Sequence, residues 1–238
     1  MKARLYVAGV MAGLAVVLVL VFAVFEFGIS HPSPPSLRDN PRDEIPGSVL
    51  YLDDRGCVVD ASASGRRADE ITCPLASTGY IDTVTWVDEK TFAYAVMAPM
   101  AKLPTWQWIR VDLATKRETT VPGSTTQPTP LPADPVSPRG ERISFDPDGY
   151  LYRTSSTGDR VRVYKLPASD GANGGQFAFV TWSPDGDWFL LRYHPKSELW
   201  IISRDGSVAG TLASDVRGGG SWMIPGVGIL PTVDPSLK

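Results

Sequence analysis

Paired aspartates stand at Asp53-Asp54, Asp146/Asp148 and Asp185/Asp187. Two such acids suit a glycosidase, and with further oxygens they suit a calcium loop. Each pair, however, stands beside glycine or proline, as in Asp53-Asp54-Arg55-Gly56, Asp146-Pro147-Asp148-Gly149 and Pro184-Asp185-Gly186-Asp187. Aspartate bonds its own backbone, proline fixes φ and glycine accepts positive φ, so these strings are what tight turns require. The turn reading is therefore preferred, and an enzyme would need Asp53, Asp148 and Asp185 to converge on one mouth. His194 precedes Pro195 with no serine or cysteine motif nearby, and a triad base needs positioned partners. Two cysteines and two histidines do not make a structural zinc site. No nucleophile elbow, P-loop or dinucleotide fingerprint occurs. The Gly171–Gly175 and Gly218–Gly220 stretches lack the strand–loop–helix setting of a phosphate site. No catalytic, cofactor-binding or metal residue is assigned, and no cofactor is expected.

Turns of this kind must be held by strands. From Phe179 to Thr211, short apolar runs alternate with turn residues. Val180 and Trp182, then Trp188, Leu190 and Arg192, are expected on one side of two successive strands. Ser183–Asp187 turns between them, His194–Ser197 joins the next strand at Leu199–Ser203, and Asp205-Gly206 leads to Val208–Leu212. Four strands with tight turns form one small antiparallel sheet, which cannot bury both its faces alone. Neighbours of the same kind are therefore expected, and the sequence repeats accordingly. Val84-Thr85-Trp86 recurs as Val180-Thr181-Trp182, a third copy starts at Ile143-Ser144-Phe145, and Ser221-Trp222 is expected to begin another. The markers at 86, 145, 182 and 222 are spaced by 59, 37 and 40 residues. The last two steps approach the ~40–45 residues of a propeller blade. The long first step contains the Pro-rich stretch Pro122–Pro138, read as an exposed loop. The aromatic markers are read as packing between blades.

Ahead of the first copy, Val49–Leu52 and Cys57–Ala61 flank the Asp53–Gly56 turn, and Ile71-Thr72-Cys73 follows. The midpoint of 57 and 73 is Gly65. A hairpin turning there sets Cys57 opposite Cys73, a disulfide in an oxidising compartment. Two buried, unpaired thiols are the alternative.

The Trp-Ser-Pro-Asp-Gly turn at Trp182–Gly186 and its weaker copy Phe-Asp-Pro-Asp-Gly at Phe145–Gly149 resemble the WD40-like repeats of TolB-type β-propellers. The resemblance runs from about Val49 onward, and Val87–Lys90 departs from it by lacking Pro-Asp-Gly. It implies an all-β fold, a small or incomplete propeller of about four blades, and says little about activity.

The N-terminal part differs in kind. Leu5 to Phe25 is 21 residues without a charge, long enough as one helix to cross a ~30 Å hydrocarbon layer. Its length and the poor cleavage match at Val21-Phe22-Ala23 favour a retained anchor over a cleaved signal. Lys2 and Arg4 precede it, which keeps the N-terminus in the cytoplasm and the bulk of the chain outside. Gly9 and Gly13 have the spacing of a helix-pairing motif, although small residues are common in membrane helices. Residues 26–47 hold five prolines, Pro32, Pro34, Pro35, Pro41 and Pro46, and read as an extended stalk. The expected organisation is a cytoplasmic tail at 1–4, a transmembrane anchor at 5–25, the stalk at 26–47 and the β domain at 48–238. The net charge of −3 argues against nucleic acid. The expected function is a non-enzymatic, membrane-anchored binding or scaffolding module of the cell envelope. A protein partner or self-association through blade edges is expected. The alternative is a hydrolase or lyase acting on extracytoplasmic glycans or peptides.

Overall fold

The computed structural model describes residues 33–73, 79–98, 105–122, 136–147, 149–167, 176–231 and 237. In chain order the strands are β1 (Ser48–Asp53), β2 (Val58–Ser62), β3 (Ala68–Thr72), β4 (Tyr80–Trp86), β5 (Thr91–Met97), β6 (Trp106–Asp112), β7 (Glu118–Thr120) and β8 (Arg142–Phe145). They continue as β9 (Tyr150–Thr154), β10 (Arg160–Lys165), β11 (Phe177–Trp182), β12 (Trp188–Tyr193), β13 (Glu198–Ser203), β14 (Ala209–Ala213), β15 (Val216–Ile224) and β16 (Gly228–Leu230). A 3-10 turn at His194–Lys196 interrupts this all-β pattern.

The strands form four antiparallel sheets. Strands β4 to β7 make the second sheet, β8 to β10 the third and β11 to β14 the fourth, each in sequence order. The first sheet has the order β16-β15-β1-β2-β3. Ser221 and Trp222 therefore do not open a further blade. They lie in β15, opposite Leu50 and Val49 of β1, and complete the sheet that the domain's first strands began.

Three apolar clusters hold neighbouring sheets together. Leu50, Leu52 and Val58 meet Val84, Trp86, Phe92 and Tyr94 between the first and second sheets. Val49, Val59 and Trp222 meet Trp188, Leu190, Leu199 and Ile201 between the first and fourth. Ile143 and Leu151 meet Trp182, Phe189, Leu191, Trp200 and Ile202 between the third and fourth. Among the described residues no such cluster joins the second sheet to the third. A small cluster on the second sheet's other face contains Ala93 and Leu237, and the Arg110 guanidinium donates to the Leu237 carbonyl. The markers Trp86, Trp182 and Trp222 fill these seams, as expected. Phe145 does not, being 39% exposed.

Two further expectations need correction. Trp182 does not share a side with Trp188 and Leu190. The register slips between Phe179 and Thr181, so Trp182 pairs with Phe189 and turns toward the third sheet, while Trp188 and Leu190 face the first. One extra residue in a strand inverts every side chain beyond it. The stalk is the second case. Its described part, residues 33–47, packs on the β domain. Ser36 bridges Thr211 at the edge of β14; the Leu37 N–H donates to the Thr211 carbonyl at 2.9 Å, and the Thr211 N–H donates to the Pro35 carbonyl at 2.9 Å. Proline lacks an N–H but keeps its carbonyl, so a Pro-rich strand can still accept bonds from an edge. Leu37 and Ile45, the two large apolar side chains of the stretch, are each 2% exposed. The tail, the anchor at 5–25 with Gly9 and Gly13, and residues 26–32 lie outside the described residues. No described helix is long and apolar enough to cross a membrane.

Candidate functional site

The third sheet has two unlike faces. One lies on the fourth sheet through Ile143, Leu151 and Leu166. Strand alternation sends the intervening residues the other way. The register aligns Arg142, Thr154 and Arg160 in one row, Ser144, Tyr152 and Arg162 in the next, and Tyr150 with Lys165 in the last. Arg142, Arg160, Arg162 and Lys165 are all exposed. The rings of Tyr150 and Tyr152 are half-buried and lie beneath Arg160, Arg162 and Lys165. The Arg160 guanidinium carbon lies 3.8 Å from the Tyr152 centroid, Arg162 lies 4.7 Å from that of Tyr150, and the Lys165 ammonium lies 4.2 Å from that of Tyr150. Arg162 Nε also donates to the Tyr152 hydroxyl at 2.9 Å. At the edge of this face Asp146 accepts from Arg160 at 2.5 Å. Guanidinia stacked on aromatic faces keep their N–H edges directed outward, a setting for carboxylate or phosphate oxygens.

A charged seam fixes this sheet to the fourth. Glu141 is 5% exposed and accepts from Arg204 Nε at 2.6 Å and Nη2 at 2.5 Å, with Arg153 Nε 3.5 Å away. The Arg204 guanidinium holds the Glu141 carboxyl below its ordinary range, while burial works against that shift. Arg139 donates to the Asp187 carboxylate at 2.6 Å and to the Asp185 carbonyl at 3.1 Å. Gly206 completes the contact. Its φ is +76°, and a Cβ there would stand 1.7 Å from the Val163 carbonyl oxygen, so only glycine admits the β10 backbone.

Beside this seam opens a cleft of about 300 Å³ lined by Asp187, Trp188, Ser203, Arg204, Asp205 and Ser207. Its acids are already engaged. Asp205 accepts from the Ser207 N–H at 3.0 Å and from the Ser203 and Ser207 hydroxyls, each at 2.7 Å, which holds its pKa down at about 2. A carboxylate so stabilised is a poor proton acceptor near neutrality.

The acid pairs read in the sequence fall on turns of three different sheets. Asp53 accepts from the Cys57 N–H at 2.8 Å and from Arg55. Asp146 pairs with Arg160, and Asp185 accepts from the Ser183 hydroxyl and the Asp187 N–H. Asp148 lies outside the described residues. His194 is exposed in its 3-10 turn. Cys57 and Cys73 form a disulfide across the β2–β3 hairpin, whose turn contains Gly65 at φ +84°. Glu70 lies within 4.8 Å of both sulfurs, but sulfurs bonded to each other are not thiolate ligands. Sequence reasoning saw Tyr150–Tyr152 and Val161–Tyr164 only as strand residues. The Tyr-x-Tyr and Arg-x-Arg alternation was the legible sign of a basic, aromatic face.

No family model matches the chain, and no curated protein matches it. Among solved structures, TolB from Acinetobacter baumannii is 16% identical, with 72% of this chain covering 43% of that one at a TM-score of 0.24. An oligogalacturonate lyase in complex with manganese is 14% identical over 71% of this chain and 50% of its own, with a TM-score of 0.27. The AtxE2 isopeptidase is 17% identical over 69% and 31%, also at 0.27. TolB-type propellers are thus among the structures similar to this chain, which spans half or less of the length of these three. Likeness at these TM-scores carries nothing about activity, ligand or partner.

Proposed function

We propose that the chain is a binding or scaffolding module of the cell envelope. Its propeller-like β domain is held outside the membrane by the apolar segment 5–25, and the outward face of the third sheet is its binding surface. The observation that carries this reading is the set of three exposed cations, Arg160, Arg162 and Lys165, ordered over Tyr150 and Tyr152, with Arg142 exposed in the same row as Arg160. Long cationic side chains left to solvent alone keep their rotamer freedom; here that freedom is already spent, which lowers the entropic cost of binding. The hydrolase or lyase reading gains no comparable support: Asp53 and Asp185 serve separate turns, and Asp148 lies outside the described residues.

The test uses the tagged full-length chain in a non-ionic detergent, incubated with an envelope extract in the same detergent. Envelope material should be recovered with the wild-type chain, and the Arg142→Glu/Arg162→Glu variant should recover about tenfold less, as expected when charge-assisted contacts are lost. Recovery of nothing, or equal recovery by the variant, overturns the proposal.

A further inference from the structure

We infer that the cleft beside the β11–β12 and β13–β14 turns of the fourth sheet binds a primary alkylammonium group, with the cation against Asp205 and Asp187 and its aliphatic stem against Trp188 and Val208. The cleft stands apart from the arginine face of the third sheet, and its ligand does not depend on that face. The two turns are built alike, as Ser183-Pro184-Asp185-Gly186-Asp187 and Ser203-Arg204-Asp205-Gly206-Ser207. In each, the serine hydroxyl donates to the aspartate two residues on, and a glycine at positive φ follows. The Arg204 N–H donates to the Asp187 carbonyl at 2.8 Å, which ties one turn to the other. At about 300 Å³ the cleft is at the lower end of the ~300–1,000 Å³ range of small-molecule sites, a size for a small ligand or one side chain.

The charge on its walls sets the sign of the ligand. Arg204 is the cation that lines the cleft, and its guanidinium is spent on Glu141. Asp187 gives Oδ2 to Arg139 in an exposed pair, a weak kind of contact, and leaves Oδ1 without a hydrogen bond. Asp205 makes no ion pair among the described residues. Its donors, the Ser203 and Ser207 hydroxyls and the Ser207 N–H, all meet Oδ1, and Oδ2 is left open. The same donors hold its pKa at about 2, so it stays charged at neutral pH. Covering that charge is costly unless the ligand brings the opposite one, which disfavours a neutral occupant and an anion still more.

The remaining wall separates an organic cation from a metal ion. Calcium takes about six to eight oxygens. Here two carboxylates line the cleft, and among the described residues no group of three metal-ligating side chains converges on it. Trp188 and Val208 offer apolar surface, which suits the methylenes of an alkyl stem. The walls are also set in advance. Glu141 grips Arg204 and the two serines grip Asp205, so little ordering is left for the ligand to impose.

The experiment dialyses the full-length chain, in a non-ionic detergent, to equilibrium against radiolabelled cadaverine, with pentane-1,5-diol, calcium chloride and tetralysine as competitors. Saturable binding of cadaverine is expected, weakening as salt rises, because the acids are open to solvent. The diol has the same stem without the charge and should not displace it, and neither should calcium at equal concentration. Displacement by tetralysine assigns the site to a lysine side chain of a partner protein; its failure to displace assigns the site to a free amine. Asp205→Asn keeps an acceptor for the serines and should weaken binding about tenfold or more. Ser207→Lys would fill the cleft with the chain's own ammonium and should abolish binding. An unchanged thermal midpoint confirms that each variant folds. The inference is overturned by no saturable binding, by displacement with the diol or calcium, or by binding that a folded Asp205→Asn leaves unchanged. If Asp205→Asn does not fold, Ser207→Lys decides, since Ser207 is exposed: cadaverine binding retained in that variant overturns the inference.

Discussion

Glu141 is the acid whose loss the fold should feel most. It is buried at the start of β8, and its two oxygens are taken by Arg204 across the seam between the third and fourth sheets. Glu141→Gln should lower stability by about 1.5–3 kcal/mol, the range for hydrogen bonds to charged groups, measured by urea unfolding. Because the folded-state pKa is depressed, its contribution is present above the unfolded value and is lost as pH falls through the folded one. The wild-type chain should therefore lose stability in acid below about pH 4.5, while the Gln variant shows a flatter profile over that window. An equal pH slope in both proteins would refute this role. None of this was legible in the sequence. Glu141 stands in Arg-Gly-Glu-Arg-Ile, and its partner lies 63 residues on in a turn of another sheet.

At the scale of elements, sequence and structure agree where local chemistry decides. The turns at Asp53–Gly56, Asp185–Asp187 and Asp205-Gly206 form where Asp and Gly require them. The Cys57–Cys73 bridge follows from a hairpin whose midpoint is Gly65. It closes a loop with a sequence separation of 16, so the Cys57→Ser/Cys73→Ser variant should be about 3 kcal/mol less stable in the chain-entropy account. Guanidinium unfolding with and without reductant checks this; no difference between reduced and oxidised chains would count against it. What pattern reading missed is the register slip before Thr181. A period-two reading has no means of locating an extra residue, since it depends on what packs on each side. The basic face of the third sheet escaped for a related reason. Arg160 and Arg162 look like ordinary solvent-facing strand residues until β9 sets the tyrosines beneath them.

In the whole molecule, sheets stack in the order second, first, fourth, third, as the repeat pattern implied without giving the order of neighbours. The segment expected to be a stalk takes part in that stack. Leu37 sits where a Cβ on Gly65 would lie 2.3 Å from its carbonyl oxygen and a Cβ on Gly210 would lie 2.4 Å from its Cδ2. It thus wedges between the β2–β3 turn and β14. Leu37→Ala should cost about 2–5 kcal/mol and free the segment around it, since a cavity replaces the wedge. Limited proteolysis should then cut near Arg38 or Arg42 much faster than in the wild-type chain; unchanged cleavage would show that the segment is held by its backbone bonds alone. Composition hid this role because five prolines outweighed two apolar residues in the reading. The pairing of β15 with β1 carries a further consequence for biogenesis. A polypeptide emerges amino end first, so β1 waits with one rim of its backbone unmated until Val216 and the residues after it have been made. Through that interval the nascent chain exposes an adhesive border to its neighbours, and a truncation before Val216 would unravel the beginning of the domain rather than shorten its end.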